Sequence, residues 1–151
     1  MRTKLAIVMA GGLALSNAAV VMAHHAFSAE FDEKKPVKLV GTVTRVEWVN
    51  PHAWIHVDVK NPDGTVTEWA IEGGTPNTLL RRGITKESLK IGTALVVDGY
   101  QARDHSQLRA NGRNVTFPDG RKLFLGSSGT GAPTDGADPT EGRGRGRGGQ
   151  K

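Results

Sequence analysis

The chain has 151 residues, with 20 Lys and Arg against 15 Asp and Glu, a formal net charge of +5, and no cysteine. Without cysteine there is no disulfide scaffold and no thiolate metal site, so any bound metal would rest on histidine, carboxylate or backbone nitrogen. The charge is too mild to serve as a nucleic-acid footprint.

The chain opens on MRTK, continues through the apolar run Leu5–Met22, and reaches Val21 and Ala23 at the −3 and −1 positions of a small-residue cleavage site. A basic start, an apolar stretch and small residues before the cut are the layout of a secretory signal peptide. Gly11, Gly12, Ser16 and Asn17 interrupt the run, whereas a spanning helix needs about 20 mostly apolar residues. Residues 1–23 are therefore expected to be a signal peptide cleaved after Ala23, and the mature protein to be periplasmic or secreted and not membrane-spanning. Only Arg2 and Lys4 would be lost among the basic residues, so 18 basic and 15 acidic residues remain, a net +3.

At the other end, SSGTGAPTDGADPTEGRGRGRGGQK is rich in Gly, Pro, Ser, Thr and charge and has no aromatic or large aliphatic side chain. Such a segment cannot bury enough apolar surface to offset its ordering entropy. Residues 127–151 are expected to be a disordered tail, and residues 24–126 one domain large enough for a single core.

Within 24–126 the strand signals follow one another. VKLVGTVTRVEWV, 37–49, is β-branched, and its Gly41 suggests a bend or bulge. AWIHVDV, 53–59, alternates Ile55, Val57 and Val59 with Trp54, His56 and Asp58. NPDG, 61–64, predicts the turn to a returning strand at 66–73. Gly73–Gly74 predict a tight turn, TPNTLLRRG a short helical turn stopped by Gly83, and Thr85 an N-cap before Glu87 and Ser88. TALVVDGYQA, 93–102, returns to strand, 104–112 reads as a loop, and GRNVTF, PDG and RKLFLG read as a last hairpin. The fold class expected is mainly β: a small, partly open barrel with one short helical interlude, resembling the five-stranded oligonucleotide/oligosaccharide-binding (OB) barrel. Phe27 and Phe31 suggest that the N-terminal segment packs back on it.

HHAFSAEFD directly after the signal peptide, GTVTRVEWVNPHAWIHVDV, EWAIEGGTPNTLLRRG and GRNVTFPDGRKLFLGSSG together resemble a family of small exported bacterial proteins of unassigned function. The resemblance covers 24–129 and implies no activity, so function has to be argued from chemistry.

The histidines are His24, His25, His52, His56 and His105. If His24 is the first mature residue, its α-amine and imidazole can chelate one ion, and His25 adds a second imidazole. The α-amine titrates near pH 7.7–8.0, so a metal displaces its proton at little cost. Tetragonal nitrogen donors suit Cu(II). His52 and His56 share a face on a regular strand but stand about 13 Å apart at 3.3 Å per residue, so one of the two, not both, would meet the N-terminus. An N-terminal histidine with a second histidine resembles the copper brace of some secreted copper proteins in ligand logic alone. The metal candidates are thus His24, His25, His52 and His56, with Cu(II) as the possible cofactor.

The alternative is an envelope ligand-binding module in which Trp48, Trp54 and Trp69 form a stacking face for a saccharide, a lipid-derived molecule or a protein partner, edged by Arg81, Arg82, Arg103, Arg109 and Arg113. Asp58 faces Glu68 or Glu72 across the hairpin, with no substrate implied. No nucleophile-elbow spacing surrounds any serine, and no phosphate-loop spacing follows the glycine pair, so no catalytic residue is assigned and a non-enzymatic binding protein is expected, a copper oxidoreductase of histidine-brace type being a third reading, with no nucleic-acid partner.

Overall fold

Gly41 sits where the longest strand of the protein crosses its neighbour so closely that a Cβ there would lie 2.7 Å from the carbonyl oxygen of Asp58. The computed structural model describes residues 27–126. The long strand is β1 (Phe31–Glu47), followed by β2 (Trp54–Lys60), β3 (Val66–Glu72), the helix α1 (Pro76–Arg81), β4 (Ala94–Ala102), β5 (Arg109–Thr116) and β6 (Lys122–Phe124). β1 serves two neighbours in turn: its first half pairs with β4 and its second half with β2, both antiparallel. β2 pairs with β3, β4 with β5, and β5 with β6, all antiparallel. A short parallel pairing of β3 with β5, Ala70–Glu72 against Arg109–Asn111, closes the ring. This is the OB-like barrel expected from the order of the strand and helix signals.

The alternation of the β2 sequence is the alternation of inside and outside. Val46, Ile55, Ile71 and Ala110 stand opposite one another across β1, β2, β3 and β5, and the last three are fully buried in the core with Val43, Val57, Leu95, Val97 and Val115. The helix follows from its termini. Thr75 caps it by accepting from the Thr78 N–H at 3.2 Å, and Pro76 begins it where a missing N–H costs nothing. Gly83 at φ +84° ends it in the left-handed conformation open to glycine. Leu79 carries α1 onto the core.

Several boundaries differ from the sequence-based expectation. β1 begins at Phe31, six residues early, because residues 36–42 find partners on β4 that the local pattern cannot reveal. The bulge lies between Val43 and Arg45, not at Gly41. The expected loop 104–112 ends at Leu108, and β5 starts at Arg109 because the edge of β3 supplies backbone partners there. Thr85 does cap as foreseen, exchanging hydrogen bonds with Ser88, but only turns follow it. Gly73 and Gly74 make no tight turn. Their N–H groups donate to Ala53 and Leu125, which stitches β3 to the start of β2 and to the segment after β6.

The N-terminal segment packs back as expected. Phe27, Phe31, Tyr100 and Ala102 form a second buried cluster, with Phe27 edge-on to Tyr100 at 5.7 Å. No helix among the described residues is long and apolar enough to cross a membrane.

Candidate functional site

The outer face of β1, β2, β3 and β5 carries two polar rows fixed by strand register. One row is Arg45, His56, Ala70 and Arg109; the next is Glu47, Trp54, Glu72 and Asn111. His52 lies just before β2, after the cis Asn50–Pro51 bond, and its ring reaches the end of the second row.

His52 Nδ1 is 3.2 Å from the Gly73 carbonyl oxygen and 3.5 Å from Glu72 Oε1. A carbonyl only accepts, so Nδ1 carries the hydrogen and donates, and Nε2 is the ring nitrogen left to offer a lone pair to a metal. The side chain is 32% exposed. A histidine whose far nitrogen is tied to a backbone carbonyl or carboxylate is the usual arrangement of a metal-ligating histidine. Glu72 is 8% exposed. Its burial raises the carboxyl above its ordinary pKa, partly offset by the nearby His52 and Arg109 charges and reinforced by Glu30. Asn111 Nδ2 donates to the same Oε1 at 3.5 Å.

His56 stands differently. Its Nε2 donates to Glu47 Oε1 at 3.1 Å, Arg45 Nη2 donates to its Nδ1 at 3.2 Å, and Glu68 Oε1 is 3.4 Å from Nδ1. Glu47 is also paired with Arg45. Both ring nitrogens are engaged on a residue 8% exposed, which makes His56 a satisfied node of the β1–β2–β3 face. His52 and His56 therefore have separate partners. His105 is 3.8 Å from Asp32. Among the described residues no three His, Asp or Glu side chains converge as a metal-binding group. His24 and His25 lie outside the described residues, as do the expected signal peptide and tail.

The tryptophans do not share one surface. Trp48 and Trp69 pack half-buried against the core, while Trp54 lies on the outer face with the Arg109 guanidinium 4.9 Å above its ring. The arginines are also dispersed. Arg82 and Arg113 both stack on Phe124, and Arg103 donates to the Ser28 carbonyl. Asp58 and Glu68 are direct partners across the hairpin, whereas Glu72 faces Trp54.

Arg109 joins this site to the N-terminal segment. Its Nη2 is 3.4 Å from Glu30 Oε2 while its guanidinium covers Trp54, the register partner of Glu72. Sequence reading placed Asn111 in a loop and Arg109 on a loose rim. The polar alternation Glu68, Ala70, Glu72 was the available signal for this face, but the burial of Glu72 depends on the β3–β5 pairing.

No curated protein and no solved structure matches the chain. One family model does, over residues 13–111, well over half of the sequence, and its description is a family of unknown function. The chain belongs to the family of unknown function DUF6152.

Proposed function

We propose that this is an exported metal-binding protein that takes Cu(II) through its mature N-terminus, His24 with His25, and the Nε2 atom of His52. The observation that carries the reading is the hydrogen bond from His52 Nδ1 to the Gly73 carbonyl, which leaves Nε2 as the ring nitrogen not engaged by that contact, on a side chain 32% exposed. The same criterion selects between the two strand-region histidines: His52 is held as a ligand is held, and His56 is spent on Glu47 and Arg45.

The N-terminal segment supports the reading by where it is anchored. Phe27 is buried against Tyr100, and Glu30 meets Arg109 at 3.4 Å. His25 and His24 precede Phe27 by two and three residues, a reach of about 7 and 11 Å at full extension. From Glu30 the contacts run through Arg109, Trp54 and Glu72 to His52. Nitrogen donors from an α-amine and imidazoles favour Cu(II) over the other divalent first-row ions. The role that fits is copper handling or carriage, with no catalytic step.

The test is a Cu(II) titration against a competing chelator, followed by EPR, on protein beginning at His24 and on the same protein with one residue added before His24. Tight one-to-one binding that is lost on extension and weakened by His52→Ala supports the assignment. Equal, weak binding by all three proteins overturns it.

A further inference from the structure

A second surface is built by the end of β1 with the residues after it and the turn before β4, and it shares none of the residues of the histidine site. Val46, Trp48, Leu89 and Ile91, with Lys86 and Lys90, line an open groove of about 410 Å³. Two cations and no carboxylate line it. Leu89 is buried and roots the segment in the core.

Ile91 is the residue without a structural reason. It occupies the second position of a β-turn closed by the Thr93 N–H donating to the Lys90 carbonyl at 3.0 Å, with Gly92 at φ +88°. That position suits proline or a polar residue and asks nothing of a β-branched apolar one. Yet Ile91 is 76% exposed, and Val49, next to Trp48, is 49% exposed. The turn is also fixed, since Gly92 donates to Val43 and Val43 donates to Thr93. The protein thus holds a bare apolar tip in a set position beside a half-buried indole and two ammonium groups.

A bilayer interface is the surface that accepts this combination. Apolar tips enter the acyl boundary, indoles settle at head-group level, and lysines bury their stems while their charges stay with anionic head groups. We propose that this groove docks the protein on an anionic lipid surface, with Ile91 inserted, Trp48 at head-group level, and Lys86 and Lys90 on lipid phosphates. Lys90 is 2.6 Å from Glu87 on the exposed surface, and a lipid phosphate competes with that carboxylate for it.

The experiment is flotation of the whole chain beginning at His24 with vesicles of phosphatidylcholine alone and of phosphatidylcholine mixed with phosphatidylglycerol. It is run for the native sequence, for Ile91→Asp and for the Lys86→Glu, Lys90→Glu pair. The arginine-bearing segment 127–151 is common to all of them, so differences between variants report the groove. Ile91 is exposed, and its replacement leaves the core intact. Binding to the mixed vesicles is expected to fall about tenfold or more in each variant, and bromine-labelled lipid should quench tryptophan emission in the native sequence but much less in Trp48→Phe. Equal flotation of the native sequence and Ile91→Asp would overturn the proposal. So would saturable binding of dissolved decanoate without any vesicle association, which would make the groove a site for a free amphipathic carboxylate.

Discussion

Nδ1 of His52 and the carbonyl oxygen of Gly73 are 3.2 Å apart, and this contact fixes which nitrogen of His52 carries the donated hydrogen. The two strand-region histidines should therefore respond oppositely to replacement. His52→Ala is expected to weaken Cu(II) binding at least about tenfold while leaving folding nearly unchanged. His56→Ala should leave Cu(II) binding unchanged and cost about 1 kcal/mol, because it removes a buried ring hydrogen-bonded to Glu47 and Arg45. Competitive Cu(II) titration and urea unfolding of both variants separate the two roles.

The anchoring of the N-terminal segment gives a second expectation. Phe27 packs against Phe31 and Tyr100 at the barrel surface. Phe27→Ala should detach the segment from the barrel and bring Cu(II) affinity down toward that of a short peptide beginning His-His, although every proposed ligand is still present. An affinity equal to that of the native sequence would show that the barrel does not position the terminus.

Glu72 supplies a pH dependence. Its folded-state pKa is raised by burial, with His52 and Arg109 opposing and Glu30 adding to the shift. Between the unfolded value, near 4.5, and the higher folded one, the native state binds more protons than the unfolded state, so stability falls as pH rises through that window. The stabilisation is fully present below the unfolded pKa and is lost above the folded one. Glu72→Gln should flatten that part of the stability curve and raise stability at neutral pH relative to the native sequence, as read by urea midpoints across a pH series.

β4 and β5 approach closely where their register shifts between Asp98 and Gly99. A Cβ on Gly99 would fall 2.2 Å from the carbonyl oxygen of Asn111. Gly99→Ala should cost about 3 kcal/mol, whereas Gly64→Ala, with nothing within 4 Å, should cost only the strain of its positive φ. Thermal unfolding of the two variants distinguishes crowding from backbone conformation.

The amino-acid sequence by itself determined the strand order, the capped helical interlude and the barrel class, because period-two alternation, Thr-Pro caps and Gly stops act over a few residues. It also marked Phe27 and Phe31 as packing residues. Only the tertiary structure decided what those residues meet. The parallel pairing of Ala70–Glu72 with Arg109–Asn111 joins segments some forty positions apart, and it turns the end of an expected loop into the start of β5. That pairing buries Glu72 and sets Arg109 between Glu30 and Trp54. A carboxylate that reads as a solvated strand residue becomes the buried partner of a histidine because burial is a property of the closed ring, which no local stretch of the chain contains.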